Sequence, residues 1–196
     1  MKVVIIQYNA GNIQSVIYAL ERLGITPVLS DEPATIQAAD KVIFPGVGEA
    51  SSTMKMLQKT GLDHLIPMLK QPVLGICLGM QLMCSHSEEN DTQCLNIFDQ
   101  QVRLFRPKHK ETKVPQMGWN TLLDRKGPLF EHFSKQAYAY FVHSYYVEVG
   151  EHSIATTNYV LPFSAALHKD NFYATQFHPE KSGKSGAQLL KNFLNI

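Results

Sequence analysis

The first half of the chain alternates short apolar runs with amphipathic stretches. VVIIQY from Val3 is followed by IQSVIYALERLG closed by Gly24, then TPVLS, KVIFPG and a polar helical stretch. This rhythm predicts a parallel sheet with helical crossovers. Residues 73–76 (VLGI) form another buried-strand candidate and run without a break into CLGMQLMCSHSEE, whose apolar spacing is helical. A strand turning sharply into a helix is therefore expected at Cys77.

The second half changes character. YAYFVHSYYVEV, SIATTN, SAALHK and NFYATQF are rich in aromatic and β-branched residues and read as strands with antiparallel pairing. The chain closes with the helical segment SGAQLLKNFLNI, so helices are expected to cover a mixed sheet. With 196 residues and no linker, repeat or low-complexity segment, residues 1–196 are expected to form one domain.

Composition narrows the function classes. Hydrophobic residues at 44% and charged residues at 18% fit a compact globular protein rather than a disordered or fibrous one. A net charge of +1 supplies no global field for nucleic acid or an anionic membrane. The densest basic run, Arg103, Arg106, Lys108, Lys110 and Lys113 with His109 among them, reads as a solvated loop. The odd set Cys77, Cys84 and Cys94, without a CxxC pair, argues against a disulfide framework and a cysteine zinc site, and for a reducing compartment. The apolar run Val3–Ile6 is too short for a signal-peptide core or a membrane span, so a cytoplasmic location is expected.

Gly75-Ile76-Cys77-Leu78-Gly79 places a thiol at the turn between strand and helix, with glycines that let backbone crowd around it. A helix N-terminus beyond Cys77 favours thiolate through its dipole and free N–H groups. Alone, Cys77 could equally be a buried structural cysteine, the reading adopted for Cys84 and Cys94. Gln176-Phe177-His178-Pro179-Glu180 offers the proton-handling partner a thiolate needs. In extended backbone positions i and i+2 point to one side, so Glu180 would orient His178. Pro45-Gly46-Val47-Gly48 supplies a loop whose N–H groups can face a ligand, although the same tetrapeptide is also an ordinary turn.

Jointly, YNAGNIQSV, FPGVGEA, LGICLGMQLM, SEE, VPQMGWN, YFVHSYYV and QFHPEKSG cover essentially the whole chain. On these motifs it resembles the class I, triad-type glutamine amidotransferases, in particular the glutaminase-subunit branch of imidazole glycerol phosphate synthase. The resemblance implies a three-layer, flavodoxin-like α/β fold with a mainly parallel sheet and antiparallel additions in the second half. It implies glutamine as substrate, no metal or organic cofactor, and ammonia delivery to a barrel-shaped cyclase subunit in a heterodimer. Cys77, His178 and Glu180 correspond to nucleophile, base and orienting acid. Gly46-Val47-Gly48 corresponds to the oxyanion loop, with the N–H of Val47 joining that of Leu78, and the flanking glycines permit a peptide flip at Val47. Gly48, Gln81, His143, Ser144 and Tyr145 correspond to glutamine-binding positions. Asn12, Trp119, Tyr140 and Lys181 correspond to the partner-facing side. Gln116 departs from the histidine common before MGWN, which bears on local details of that interface. Two other readings stay open: the same chemistry serving another acceptor enzyme, and a silent regulatory role, against which the presence of all three triad residues argues.

Overall fold

A computed structural model describes residues 1–8, 13–109 and 113–196. The elements follow in chain order: β1 (Val3–Ile6), α1 (Ile13–Glu21), β2 (Val28–Ser30), α2 (Pro33–Gln37), β3 (Lys41–Phe44), α3 (Ala50–Thr60), α4 (Leu62–Leu65), β4 (Val73–Ile76) and α5 (Leu78–Met83). Next come β5 (His86–Ser87), β6 (Thr92–Gln93), β7 (Gln101–Leu104), β8 (Gln116–Thr121), β9 (Tyr138–His143), β10 (Tyr145–Val147), β11 (Ser153–Asn158), β12 (Pro162–Lys169), β13 (Phe172–Thr175) and α6 (Gly183–Asn195).

Seven strands form the central sheet in the order β11-β12-β13-β4-β3-β1-β2. Strands β2, β1, β3, β4 and β13 are parallel, and β12 and β11 add antiparallel at one side. The parallel strands are apolar at nearly every position because both faces are covered. Val4, Ile6, Val42, Phe44 and Val73 pack in one cluster with residues of α2 to α5. Val3, Ile5, Ile43, Leu74 and Ile76 pack in another with α1 and α6. The result is three layers, α/β/α. Helix α1 sends Val16, Ala19 and Leu20 inward at the i, i+3, i+4 spacing of one helical face. Helix α3 is started by Glu49, whose carboxylate accepts from the N–H groups of Ser51 and Ser52, and it ends at Gly61 in the left-handed conformation.

Several expectations require correction. The helix after Cys77 stops at Met83, because from Ser85 onward the backbone pairs elsewhere: Ser85 N–H donates to Gln100 and Cys94 N–H to Ser85. YFVHSYYV is not one strand. It breaks at Ser144 into β9, which pairs with β8 in a two-stranded ribbon, and β10, which joins a sheet ordered β10-β7-β5-β6. Antiparallel pairing holds for β11, β12, β8 and β9, whereas β13 also runs parallel to β4. The basic run starts as strand β7 rather than as a loop, and Arg103 and Arg106 are paired with Glu88, Arg103 also with Glu148.

Two glycines allow the sheet, loop and helix to meet at one point. A Cβ on Gly46 would collide with the nitrogen of Gly79, and a Cβ on Gly79 would collide with the carbonyl oxygen of Phe44. The end of β3 and the start of α5 therefore touch backbone to backbone.

His143 is packed among aromatic residues of the second cluster, 6% exposed, with ring centroids 5.3, 5.7 and 5.2 Å from those of Phe105, Phe141 and Phe163. Its Nδ1 is 2.7 Å from the carbonyl oxygen of Tyr145, which can only accept, so Nδ1 carries the proton. Burial lowers its pKa to about 4, with the nearby His178 adding to the effect and the Tyr145 bond opposing it.

Gly79→Ala should cost at least about 2 kcal/mol in urea unfolding because backbone must move. Gly24→Ala, at φ 79° with nothing within 4 Å of the added carbon, should cost only about 1 kcal/mol of left-handed strain. For His143, the unfolded chain binds a proton near pH 6.5 that the folded chain refuses until about pH 4, so stability falls as pH drops through that window. The loss of stability between pH 7 and pH 5 in urea unfolding should be smaller in His143→Asn than in the parent by about 2 kcal/mol, the part that His143 contributes; His178, with its folded pKa raised, works in the opposite sense in both.

Candidate active site

Cys77 closes β4. Its φ of 53° and ψ of −107° lie outside the ordinary regions for a residue with a side chain, the strained turn that Gly-x-Cys-x-Gly leads one to expect. Its N–H extends the sheet by donating to Thr175 at 2.7 Å, and its carbonyl accepts from Gln81 N–H at 3.2 Å in the first turn of α5. The N–H of Leu78, the first residue of α5, precedes that first bond and lies outside the helical ladder.

A cavity of about 330 Å³ opens at this turn. Its wall contains Gly46, Val47, Gly48, Cys77, Leu78, Gln81, His143, Ser144, Tyr145, His178 and Lys181, so the fold gathers eleven of the expected positions from four separate stretches of chain. Val142 and Glu89 complete it.

His178 follows β13 and Gln176-Phe177. Its Nδ1 lies 2.8 Å from Oε1 of Glu180, with the two side chains 5% and 2% exposed. The pair does not arise from extended backbone, as the sequence suggested. Pro179–Lys181 is a 3-10 turn that folds Glu180 back beneath the imidazole. The backbone is clamped as well: His178 N–H donates to Tyr140 at 2.9 Å, and Ser182 Oγ–H donates to the His178 carbonyl at 2.6 Å while accepting from Tyr140 N–H at 2.9 Å. Burial opposes charge on His178, yet the hydrogen bonds and charges of Cys77 and Glu180 together push the imidazole up to about 10.

Around Cys77 Sγ the thiol donates to the Val142 carbonyl and accepts from Gln176 Nε2, each at 3.7 Å. Gln81 Nε2 donates to the Tyr145 carbonyl at 2.9 Å and to Gln176 Oε1 at 3.0 Å. The loop Gly46-Val47-Gly48 is rooted by Tyr8, a 5% exposed phenol just beyond β1 whose hydroxyl donates to the Pro45 carbonyl. Burial, and then the charge of Cys77, raise the Tyr8 pKa, so it stays a donor.

Three residues escaped the sequence reading. Glu89 is the cavity's one carboxylate among the described residues, accepting from Ala50 N–H at 2.8 Å, with burial and then repulsion from Glu49 raising its pKa against that bond. The SEE motif contains it, but its sequence distance from Cys77 concealed its position. Tyr8 and Gln176 lie in YNAGN and QFHPE beside residues with more obvious chemistry.

Among the partner-facing candidates, Trp119 is 58% exposed and sits edge-to-face with Tyr140, its cross-strand neighbour, at 5.9 Å. Lys181 stands exposed at the cavity wall. Asn12 lies outside the described residues. Gln116 is buried, 3% exposed, and pairs across the ribbon with His143, which puts it behind the cavity wall rather than on an outer face.

The glutamine amidotransferase class-I family model matches residues 4–196. Imidazole glycerol phosphate synthase subunit HisH of Bacteroides thetaiotaomicron is 61% identical over 196 residues, covering 100% of both chains. The HisH protein of Photorhabdus laumondii is 48% identical over 201 residues, again with 100% of both covered. Among solved structures, a protein described as a glutamine amidotransferase has a TM-score of 0.73 at 18% identity, covering 98% of this chain and 97% of that one. A glutamine amidotransferase from Thermotoga maritima has a TM-score of 0.62 at 16% identity, covering 100% and 83%. At such identities the structural likeness is one of fold. The end-to-end sequence matches carry more, and by them the chain belongs to the class-I glutamine amidotransferases, in the branch of the HisH subunits.

Proposed function

We propose that this chain hydrolyses glutamine to glutamate and ammonia with Cys77 as nucleophile, His178 as acid and base, and Glu180 as orienting acid. The observation that carries the reading is the convergence on one cavity of a strained cysteine and a buried His178–Glu180 pair. With the proton held on His178, Cys77 attacks the side-chain amide carbon as thiolate. The oxyanion is received by the N–H groups of Val47 and Leu78, and His178 gives its proton to the departing ammonia, leaving a thioester on Cys77. Water deprotonated by His178 then releases glutamate and regenerates the thiol.

The far end of the substrate is read by acceptors and donors of different kinds. Both N–H groups of Gln81 are taken by Tyr145 and Gln176, so Gln81 presents only its carbonyl oxygen to the cavity. Together with the Glu89 carboxylate this favours the ammonium group of an α-amino acid. The backbone of Gly48, Ser144 and Tyr145 remains for the carboxylate. The His143 side chain is committed to the core, so this residue serves the site through its main chain and its bond to Tyr145.

The ammonia is passed to a cyclase partner that builds imidazole glycerol phosphate in histidine biosynthesis, as the names of full-length relatives at 61% and 48% identity suggest. Ammonia delivery to another acceptor enzyme has no comparable support. An apolar stripe on the β8–β9 ribbon supports the docking side: Met117, Trp119 and Tyr138 are 67%, 58% and 48% exposed, and the Met117↔Val142 pair brings the stripe to the cavity's lip. A cytoplasmic place suits such a biosynthetic heterodimer, and no described helix is long and apolar enough to cross a membrane.

Glutamate release, assayed with the cyclase partner and its ligand, should fall to below about a thousandth in Cys77→Ala. Glu180→Gln should lower kcat by about 100-fold to 10,000-fold with little change in KM, and move the alkaline limb of the pH profile to lower pH because the imidazolium loses its carboxylate. Full turnover by Cys77→Ala would refute the reading. Trp119→Ala should weaken cyclase binding by about tenfold or more while leaving the urea midpoint unchanged, as a large exposed anchor would.

A further inference from the structure

We infer that Gln176 is a positioning residue for the reaction: it holds an amide N–H on the Cys77 sulfur, and a hydrogen-bond relay from the Tyr145 carbonyl through Gln81 fixes which end of its amide faces that sulfur. The inference rests on Cys77 being the nucleophile and goes beyond it by naming what sets the sulfur's surroundings.

The polarity of the relay has a fixed origin. A backbone carbonyl can only accept, so the Gln81 atom 2.9 Å from the Tyr145 oxygen must be nitrogen. The same Nε2 has a second proton and stands 3.0 Å from Gln176, which must therefore answer with its oxygen. Gln176 has one end left, its Nε2, and that end lies 3.7 Å from Cys77 Sγ. Flipping either amide would set two donors or two acceptors against each other inside the protein, where Gln176 is 0% and Gln81 4% exposed. The Tyr145 carbonyl is itself held, since it also accepts from His143 Nδ1 at 2.7 Å.

The direction matters because of what else faces the sulfur. The neutral thiol can donate to the Val142 carbonyl at 3.7 Å, but once the proton has gone that oxygen is a repulsive neighbour. The Gln176 N–H then offsets it, so the relay favours the form of Cys77 that attacks. Gln176 is not part of the cavity wall, whereas Gln81 is. Gln176 therefore acts through Cys77, and Gln81 links the substrate's amino-acid end to the same sulfur through one intervening amide.

The test is the rate of Cys77 alkylation by iodoacetamide across a pH series, on the full chain without glutamine, with Cys77→Ala as the blank for Cys84 and Cys94. Gln176→Met keeps the length and removes the donor. Alkylation should slow about tenfold below the midpoint, equal to a midpoint higher by about one pH unit. Gln81→Met, which frees Gln176 to turn, should move the midpoint the same way, and the double variant should move it no further than Gln176→Met alone. In turnover with the cyclase partner, Gln176→Met should lower kcat and leave KM for glutamine unchanged, whereas Gln81→Met should raise KM as well. A folded Gln176→Met with an unmoved midpoint, or additive shifts in the double variant, would overturn the relay. Should Gln176→Met not fold, the Gln81→Met midpoint decides alone. If Cys77→Ala abolishes turnover while these midpoints stay put, the nucleophile reading stands and the relay falls; if Cys77→Ala keeps turnover, both fall.

Discussion

Cys77 must belong to a sheet and a helix at once, and the rest of the site depends on how the fold meets that demand. Its N–H completes the ladder to Thr175 while its carbonyl opens the ladder of α5, and between these bonds the backbone stands at φ 53° and ψ −107°. Such a conformation costs on the order of 1–3 kcal/mol and persists only where neighbours leave no alternative. Here the neighbours are the fully buried strand β4, the parallel strand β13 beside it, and the loop after β3 pressed against Gly79. Relaxing Cys77 would break a sheet bond or lift the helix off the loop, so the strain is retained and Cys77 stays in the wall of the cavity.

Much of this was legible in the sequence because it is local. The β4–Cys77–α5 turn is written in five consecutive residues, and the apolar runs around Val4, Val42 and Val73 mark strands buried on both faces. What was not legible depends on long-range pairing. Nothing within YFVHSYYV announces that β9 and β10 enter different sheets; that follows from partners at Trp119 and Arg103, far away in the chain. The end of α5 at Met83 was concealed because Met83 and Cys84 keep facing the core after the helical ladder stops, so apolar period and hydrogen bonding part company there. From sequence the loop glycines serve the ligand side: Gly46 in the oxyanion loop, Gly48 at the glutamine, and both as freedom for the Val47 peptide. The fold adds a separate requirement for each: Gly46 because backbone of α5 passes where its Cβ would be, and Gly48 because its φ is 130°.

One carbonyl sets the orientation of two of the buried polar groups around the sulfur. Gln81, Gln176, His143 and His178 are all nearly inaccessible, and an unpaired amide or imidazole at such depth would cost more than one hydrogen bond returns. The Tyr145 oxygen takes one proton from His143 and one from Gln81, which fixes the tautomer of the first and the orientation of the second. Burial then keeps His143 neutral, so it adds no second positive charge beside His178. His178 can keep its proton against the same burial because Cys77 and Glu180 both favour it. Two histidines in one wall thus acquire opposite charge states from their partners.

The placement of the exposed ribbon relative to His178 also bears on how a docked partner could act on the chemistry. Tyr140 shows its ring beside Trp119 on the outer face of β9, while its backbone carbonyl accepts from His178 N–H and its own N–H donates to Ser182 Oγ. Ser182 in turn donates to the carbonyl of His178. The residue that would meet the partner and the residue that would move the proton are therefore joined by one direct main-chain bond and by a bridge through a single side-chain hydroxyl, that of Ser182. A shift of β9 caused by contact at Tyr140 would carry the imidazole with it, whereas Leu78 is held within α5; Val47 lies on a half-buried loop anchored on its N-terminal side by the Tyr8 bond to Pro45 and by Gly46 against the backbone of α5. Of the three groups proposed to handle charge, the base and the Val47 loop are open to adjustment from outside. The helix donor is not, so control by a partner would reach the chemistry through the segments after β13 and β3, the two strands that flank β4 and Cys77.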